Sequence, residues 1–448
     1  MSRLRRVQHR PKNTLQAVGR CTTLSTGISG FKVRPLFLFP SDMDSLIQQL
    51  ASQQVWEEFL AYRLQKGCFT WTEFDAADTF VEREQYLPVV ESIIEGMPLS
   101  IPRKITINKQ GSDKKRTVYS FTPEEMTVLK VVAHLLYRYD DYFAPNCYAF
   151  RRGTKATDGV MRIHREVRGK HLWAYKLDIH NYFNSIPIPR LLGHLAELFK
   201  DDTMLYRLFE QTLSNDKVEY NGEILHEEHG AMAGVPTAPF LANVYLCELD
   251  RYFWEHGVIY ARYSDDIIVF AESEALLQEY KSKIAEFLAD YRLEINPTKE
   301  RIYTPDEPYE FLGFRCSDNR IDVSEAGVKK MKGKIRRKTR ALLRWKRRKG
   351  IPARQAMTRL IGYFNRKFYD GGQGRTLTWA RWYFPIINST EGLQEIDHYL
   401  QQSIRLLGSG RQTKASYRIT YEEMKELGYK SLVHEYYKQH RQAHRQGL

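Results

Sequence analysis

Two adjacent acids, Asp265 and Asp266, interrupt an apolar and aromatic run, Val258-Ile259-Tyr260-Ala261-Arg262-Tyr263-Ser264-Asp265-Asp266-Ile267-Ile268-Val269-Phe270. The flanking residues predict two short strands, so the acids fall on a tight hairpin. Like charges this close repel, and burying them unpaired is costly. A divalent cation removes that cost. Hard oxygen ligands suit Mg²⁺, which binds through one or two carboxylates together with substrate phosphates. A solvated Asp-Asp turn is the plain alternative, and an acid upstream weighs against it. Asp178 closes the predicted strand Trp173-Ala174-Tyr175-Lys176-Leu177-Asp178-Ile179, 87 residues before Asp265. One acid at a strand end and two on a neighbouring hairpin can hold two Mg²⁺ ions. Such a pair clamps the attacking and leaving oxygens of an in-line phosphoryl displacement.

The bulk of the chain narrows the setting. Its 448 residues allow two to four subdomains, and 42% hydrophobic content makes them globular. No run of 18 apolar residues offers a membrane span. The basic start, Met1-Ser2-Arg3-Leu4-Arg5-Arg6, lacks a following apolar stretch, so no secretory leader is expected. Cysteines 21, 68, 147, 247 and 316 are scattered without a Cys-x-x-Cys. That argues against a zinc module or disulfide framework and fits a reducing cytoplasm. The formal charge is +14, which points to a polyanionic partner. The excess is concentrated: from Lys329 to Lys349, 13 of 21 residues are Lys or Arg and none is acidic.

Residues 1–40 read as a weakly ordered extension. Over 41–100 the recurrence of Leu46, Leu50, Trp56, Leu60 and Leu64 predicts helices with one apolar face. Ile105-Thr106-Ile107 and Thr117-Val118-Tyr119-Ser120-Phe121 predict a hairpin with a basic tip, after which Thr122, Pro123 and Glu125 form a capping box opening a helix. Further on come a helical region at 190–213, a hairpin around Asn221-Gly222, a helix over 238–255 and an amphipathic helix over 274–292. Mixed in this order, the elements predict an α+β domain with a mainly antiparallel sheet. Beyond residue 325 the chain reads as helical and basic.

In this setting the motifs resemble those of reverse transcriptases. Lys176-Leu177-Asp178-Ile179-His180-Asn181-Tyr182-Phe183-Asn184-Ser185-Ile186-Pro187 resembles their first catalytic motif, and Tyr263-Ser264-Asp265-Asp266 their Tyr-x-Asp-Asp box. Gly234-Val235-Pro236-Thr237-Ala238-Pro239-Phe240-Leu241-Ala242-Asn243 resembles the intervening template and nucleotide motif. Leu293-Glu294-Ile295-Asn296-Pro297-Thr298-Lys299 resembles the next loop, and Tyr309-Glu310-Phe311-Leu312-Gly313-Phe314 the primer grip. All five stand in family order, over roughly residues 100–390.

The resemblance implies a right-hand polymerase with fingers, palm and a helical basic thumb. The implied layout is 1–100 as an N-terminal extension and helical region, 101–325 as fingers and palm, 326–390 as thumb, and 391–448 as a helical extension of unassigned role. It implies Asp178, Asp265 and Asp266 as catalytic residues. The metal set of Asp178, Ile179, Asp265 and Asp266 would hold two Mg²⁺ ions, with Mn²⁺ as a substitute. Lys109, Arg116, Phe183, Gly234 and Lys299 are the implied nucleotide contacts. Phe183 stands where the family places an aromatic that excludes a 2′-hydroxyl, which favours dNTPs over NTPs; a core Phe is the alternative. A guanidinium fork at Arg116 suits triphosphate oxygens. Lys299 would protonate pyrophosphate or simply sit at the surface. Phe311, Leu312 and Gly313 form the implied primer grip. Arg151, Arg152, Arg336, Arg337, Arg340, Arg344, Arg347 and Arg348 are the expected nucleic-acid contacts, holding phosphates without reading sequence.

Two features depart from the common pattern. Met232-Ala233-Gly234 stands where many members have Pro-Gln-Gly, so a glutamine amide at Ala233 is missing, and Ala238 replaces a common Ser. Tyr148-Ala149-Phe150-Arg151-Arg152-Gly153-Thr154 resembles a stretch of bacterial reverse transcriptases and points to the group II intron, retron and defence-associated groups. The expectation is a polymerase making DNA on an RNA template, a dedicated noncoding RNA in antiphage defence, with dNTPs as substrates and no membrane partner. A group II intron-type mobile-element enzyme or maturase, a non-catalytic RNA-binding scaffold, and an RNA-directed RNA polymerase are the alternatives. A second copy or another protein as partner stays open.

Overall fold

A computed structural model describes residues 45–67, 71–108, 115–370, 378–410 and 418–445. All of them fall within one packing unit, Asp44–Leu448. The expected 1–40 extension lies outside the described residues.

Helices Leu46–Gln49, Gln53–Gln65, Trp71–Glu82 and Leu87–Ile94 fill the N-terminal region. Ser45 and Gln48 form a capping box that starts the first. The apolar face expected through Leu64 is not continuous. The chain turns between Leu50 and Ser52, which rotates the second helix, so Trp56, Phe59 and Leu60 are buried and Leu64 is exposed. Trp56 stacks on Tyr86 at 4.3 Å between ring centres.

Strands β1 (Arg103–Asn108) and β2 (Lys115–Ser120) pair antiparallel, as the expected hairpin requires. They share a four-stranded sheet, order β2-β1-β4-β5, with β4 (Lys217–Tyr220) and β5 (Glu223–His226). Asn221 and Gly222 both take positive φ, 55° and 89°, as a two-residue hairpin turn requires. The Thr122–Glu125 capping box forms as expected and starts helix Pro123–Leu135.

The second sheet runs β6-β7-β3-β8, all antiparallel: β3 is Trp173–Asp178, β6 Tyr260–Tyr263, β7 Asp266–Ala271 and β8 Arg301–Tyr303. Leu177, Ile267, Ile268 and Val269 are fully buried in it. Helix 238–255 is two helices, Ala238–Tyr245 and Cys247–Glu255, because Leu246 (φ −106°, ψ 10°) leaves helical geometry to bury its side chain. A third sheet, β11-β10-β9, comprises β9 (Tyr309–Phe311), β10 (Phe314–Ser317) and β11 (Arg320–Val323).

The fold is thus α+β with mainly antiparallel sheets, the class the element order predicts. The basic helix and the helices after residue 391 share one core. Helix Glu325–Lys349 buries Val328, Met331, Ile335 and Leu342 in the same core as Leu393, Ile396, Leu400 and Ile404 of helix Glu391–Ser409. Met424, Leu432 and Tyr436 join that core. Helices Glu391–Ser409, Tyr421–Glu426 and Leu432–Arg445 therefore share a core with the basic helix. None of the described helices is long and apolar enough to cross a membrane.

Candidate active site

The acidic residues meet because β3 and β7 lie side by side. Asp178 is the last residue of β3 and Asp266 the first of β7, and the two are direct cross-strand partners. Asp265 sits in the turn, where Ser264 takes φ +61°. The Ile179 amide donates to the Asp265 carbonyl at 3.1 Å, tying the turn to the end of β3.

Two lysines neutralise part of this charge. Lys299 forms an ion pair with Asp178 Oδ2, and Lys176 Nζ stands 3.8 Å from Asp266 Oδ1. Asn296 holds Asp178 from the other side, donating from Nδ2 to Oδ1 at 3.2 Å. Lys299 also acts on Asp265, but larger effects oppose it. Burial, then Asp178 and Asp266, push its carboxyl up to about 6. Burial also raises Asp266, opposed by Lys176. Among the described residues no three His, Cys, Asp or Glu side chains form a ready-made metal cluster. The donor set nevertheless fits a hard divalent cation: three neighbouring carboxylates whose mutual repulsion a cation would relieve, with flexible lysines as the groups to be displaced.

These acids line a cleft of about 1100 Å³. Arg116 on β2, Phe183, Gly234, Lys299, Leu312 and Gly313 line it too, as does Ile179. Lys109 lies outside the described residues. Gly234 has φ +106°, and a Cβ there would meet the Tyr119 carbonyl at 2.9 Å, so only glycine fits. Its loop is tied down by Asn184, whose Oδ1 accepts from the Ala233 amide at 2.9 Å while its Nδ2 donates to the Thr117 carbonyl at 3.2 Å. Leu312 (φ +49°) and Gly313 (φ +85°) form the β9–β10 turn at the cleft.

Three of the expected contacts do not line this cleft. Phe311 is 1% exposed and packs in the core below the turn, because strand alternation points it away from the cleft. Arg151 braces its own loop: Nη1 donates to the carbonyls of Ala144 and Cys147, and Nη2 to that of Asp140. Arg152 lies over the Tyr62 ring, 5.4 Å from its centre. Arg336, Arg337, Arg340, Arg344, Arg347 and Arg348 are all exposed along Glu325–Lys349. Beside them Lys334 is half-buried; burial, then Lys367, Lys330 and Arg337, push its ammonium down to about 8.

A buried ion pair that supports the acidic turn was not expected from sequence. Arg262, fully buried in β6, pairs with the equally buried Asp250, Nε to Oδ1 at 2.8 Å. Its Nη1 donates to the Ser264 carbonyl at 3.2 Å and to Asn243 Oδ1 at 3.3 Å. Tyr260 donates to the same Asp250 at 2.9 Å. The charge at Arg262 inside an aliphatic strand was the available clue; its partner twelve residues earlier on a helix was not.

Residues 107–316 match the family described as reverse transcriptase (RNA-dependent DNA polymerase). That stretch is similar to a reverse transcriptase domain. The retron Mx65 reverse transcriptase of Myxococcus xanthus is 27% identical over 136 residues, 28% of this chain and 32% of that protein. The group II intron-encoded protein LtrA of Lactococcus lactis subsp. cremoris is 28% identical over 196 residues, 43% of this chain and 32% of its own length. The reverse transcriptase match thus spans about a third of each of these relatives. Among solved structures, the apo telomerase from Candida tropicalis aligns over 74% of this chain and 60% of its own, with TM-score 0.43 and 9% identity.

Proposed function

We propose that this chain is an RNA-directed DNA polymerase that adds dNTPs to a primer 3′-hydroxyl on an RNA template. The observation that carries this reading is the pairing of Asp178 with Asp266, beside Asp265, at a cleft that also holds Arg116, Phe183 and the Leu312-Gly313 turn. Asp178, Asp265, Asp266 and the main chain at Ile179 would hold two Mg²⁺ ions, with Mn²⁺ as substitute. Bound there, the cations supply neutralisation of charge on the primer and triphosphate oxygens. Arg116 offers a planar fork to the triphosphate, with Lys109 as a second cation. Phe183 lies against the sugar and excludes a 2′-hydroxyl. Lys299 gives up Asp178 and stands near the leaving pyrophosphate, to which it can pass a proton. Leu312 and Gly313 steady the primer end, and the exposed arginines of Glu325–Lys349 hold duplex phosphates.

The template we propose is a dedicated noncoding RNA, used in antiphage defence in the bacterial cytoplasm. The similarity to a retron reverse transcriptase supports a bacterial RNA-templated element. The match to LtrA favours a second reading, a group II intron-type mobile-element enzyme. Sequencing the nucleic acid that copurifies with the chain separates them: a single structured RNA with its cDNA supports the first, intron RNA the second. The polymerase reading is tested by Asp265→Asn with Asp266→Asn. Incorporation should fall by on the order of a thousandfold or more while RNA binding persists. A double variant that extends primers at the wild-type rate would remove the catalytic assignment.

A further inference from the structure

Phe150 is a large apolar side chain left 37% exposed in the wall of the cleft. Its backbone has φ +54°, a left-handed conformation that bulky residues rarely adopt. Such strain persists only where the surroundings over-determine it, and it clusters at functional sites. The chain on both sides of Phe150 is pinned. The Tyr148 amide donates to the Arg262 carbonyl at 2.9 Å, and Asn243 Nδ2 donates to the Ala149 carbonyl at 2.6 Å. Immediately after it, Arg151 is fastened to the three carbonyls described above. None of these bonds needs an aromatic ring at position 150. They fix where the ring goes.

The ring goes between two others. It meets Phe183 edge-on, with centres 6.2 Å apart and planes at 69°, and it lies 5.9 Å from Tyr263 of the acidic turn. Phe183 itself sits in the four-residue helix Tyr182–Ser185, and its carbonyl accepts from the Ala231 amide at 2.7 Å. Its backbone is therefore held, and the freedom left to its side chain is rotation about its own torsions. A ring set against it removes rotamers in which it would yield to a bulkier sugar.

We propose that Phe150 is a positioning residue that backs Phe183, so that discrimination against ribonucleotides depends on both rings. This rests on the polymerase reading above. The strained backbone then has a function: it carries an aromatic ring out of the core to the back of the sugar-contacting side chain.

The test uses the full chain, an RNA template with annealed primer, and single-nucleotide kcat/KM for a dNTP and the matching NTP. Phe150→Asn deletes the ring while keeping a residue that tolerates positive φ, and Phe150→Gly does the same with no backbone cost. Phe150→Tyr keeps the ring. Either ring deletion should lower the dNTP-to-NTP preference by about 3- to 10-fold, the range an aromatic pair is worth. Phe150→Tyr should retain it, and ring deletion in a Phe183→Ala background should lower it no further. A preference unchanged in both ring deletions would overturn the inference, as would an equal drop in the Phe183→Ala background, which would make Phe150 independent of Phe183. A wild-type chain that incorporates no dNTP overturns the polymerase reading and this inference with it. A wild type that discriminates, alongside ring deletions that discriminate equally well, overturns this inference alone.

Discussion

Asp265→Asn should make the metal-free protein more stable, although it removes an active-site residue. The Asp265 carboxyl is pushed up from 3.8 to about 6 by burial and by Asp178 and Asp266. A raised carboxyl means the folded state holds its proton more tightly than the unfolded chain does. Stability is therefore lost as pH rises from about 4 through about 6, and the whole penalty is present at pH 7. Each unit is worth about 1.4 kcal/mol, so the displacement corresponds to about 3 kcal/mol. Asparagine has the same shape without the charge, and Lys299 and Lys176 still face the other two acids. Urea unfolding in chelator at pH 7 should show the variant more stable by about 1 to 3 kcal/mol, with the gap closing towards pH 4. Added Mg²⁺ should stabilise the wild type and leave the variant nearly unmoved. A variant equal to or less stable than wild type in chelator at pH 7 would refute the argument that the three acids repel.

Further outcomes follow from the same geometry. Phe183→Ala should raise incorporation of NTPs relative to dNTPs, read as the ratio of single-nucleotide kcat/KM; an unchanged ratio would make Phe183 a packing residue. Neutralising Arg336, Arg337, Arg340 and Arg344 should weaken nucleic-acid binding without changing sequence preference; losing even three of these contacts should flatten the plot of log K against log salt by roughly 2 to 3 units, since each phosphate contact contributes about 0.7 to 0.9. Identical slopes would place the nucleic acid elsewhere. Arg262→Met should destabilise the fold by about 3 to 5 kcal/mol by leaving Asp250 buried and unpaired, and Asp250→Leu in the same chain should restore much of that loss. A double variant as unstable as the single one would count against the buried ion pair as the cause.

The parts of this fold legible in the sequence are those set by local pattern. The Thr122 capping box, the Asn221-Gly222 turn and the acidic hairpin each need only neighbours in the chain, and each forms where the pattern placed it. The pairing of Asp178 with Asp266 required bringing together strands far apart in sequence, and motif order supplied it. What stayed hidden depends on tertiary contact. Arg151 reads as a free cation until the loop carbonyls of residues 140, 144 and 147 are seen converging on it. Nothing local distinguishes Phe150 from a core Phe, since its exposure arises from a positive φ fixed by Asn243 and Arg262. The polar tail after residue 391 gave no sign that Leu393, Ile396 and Leu400 complete the core under the basic helix.

The central claim is tested most directly by giving the purified chain an RNA template with an annealed primer, dNTPs and Mg²⁺, beside the Asp265→Asn/Asp266→Asn variant. Template-directed extension with dNTPs by the wild type, lost with chelator and lost in the variant, is the expected result. Extension that survives in the variant, or a wild type that binds RNA yet adds no nucleotide in Mg²⁺ or Mn²⁺, would contradict it.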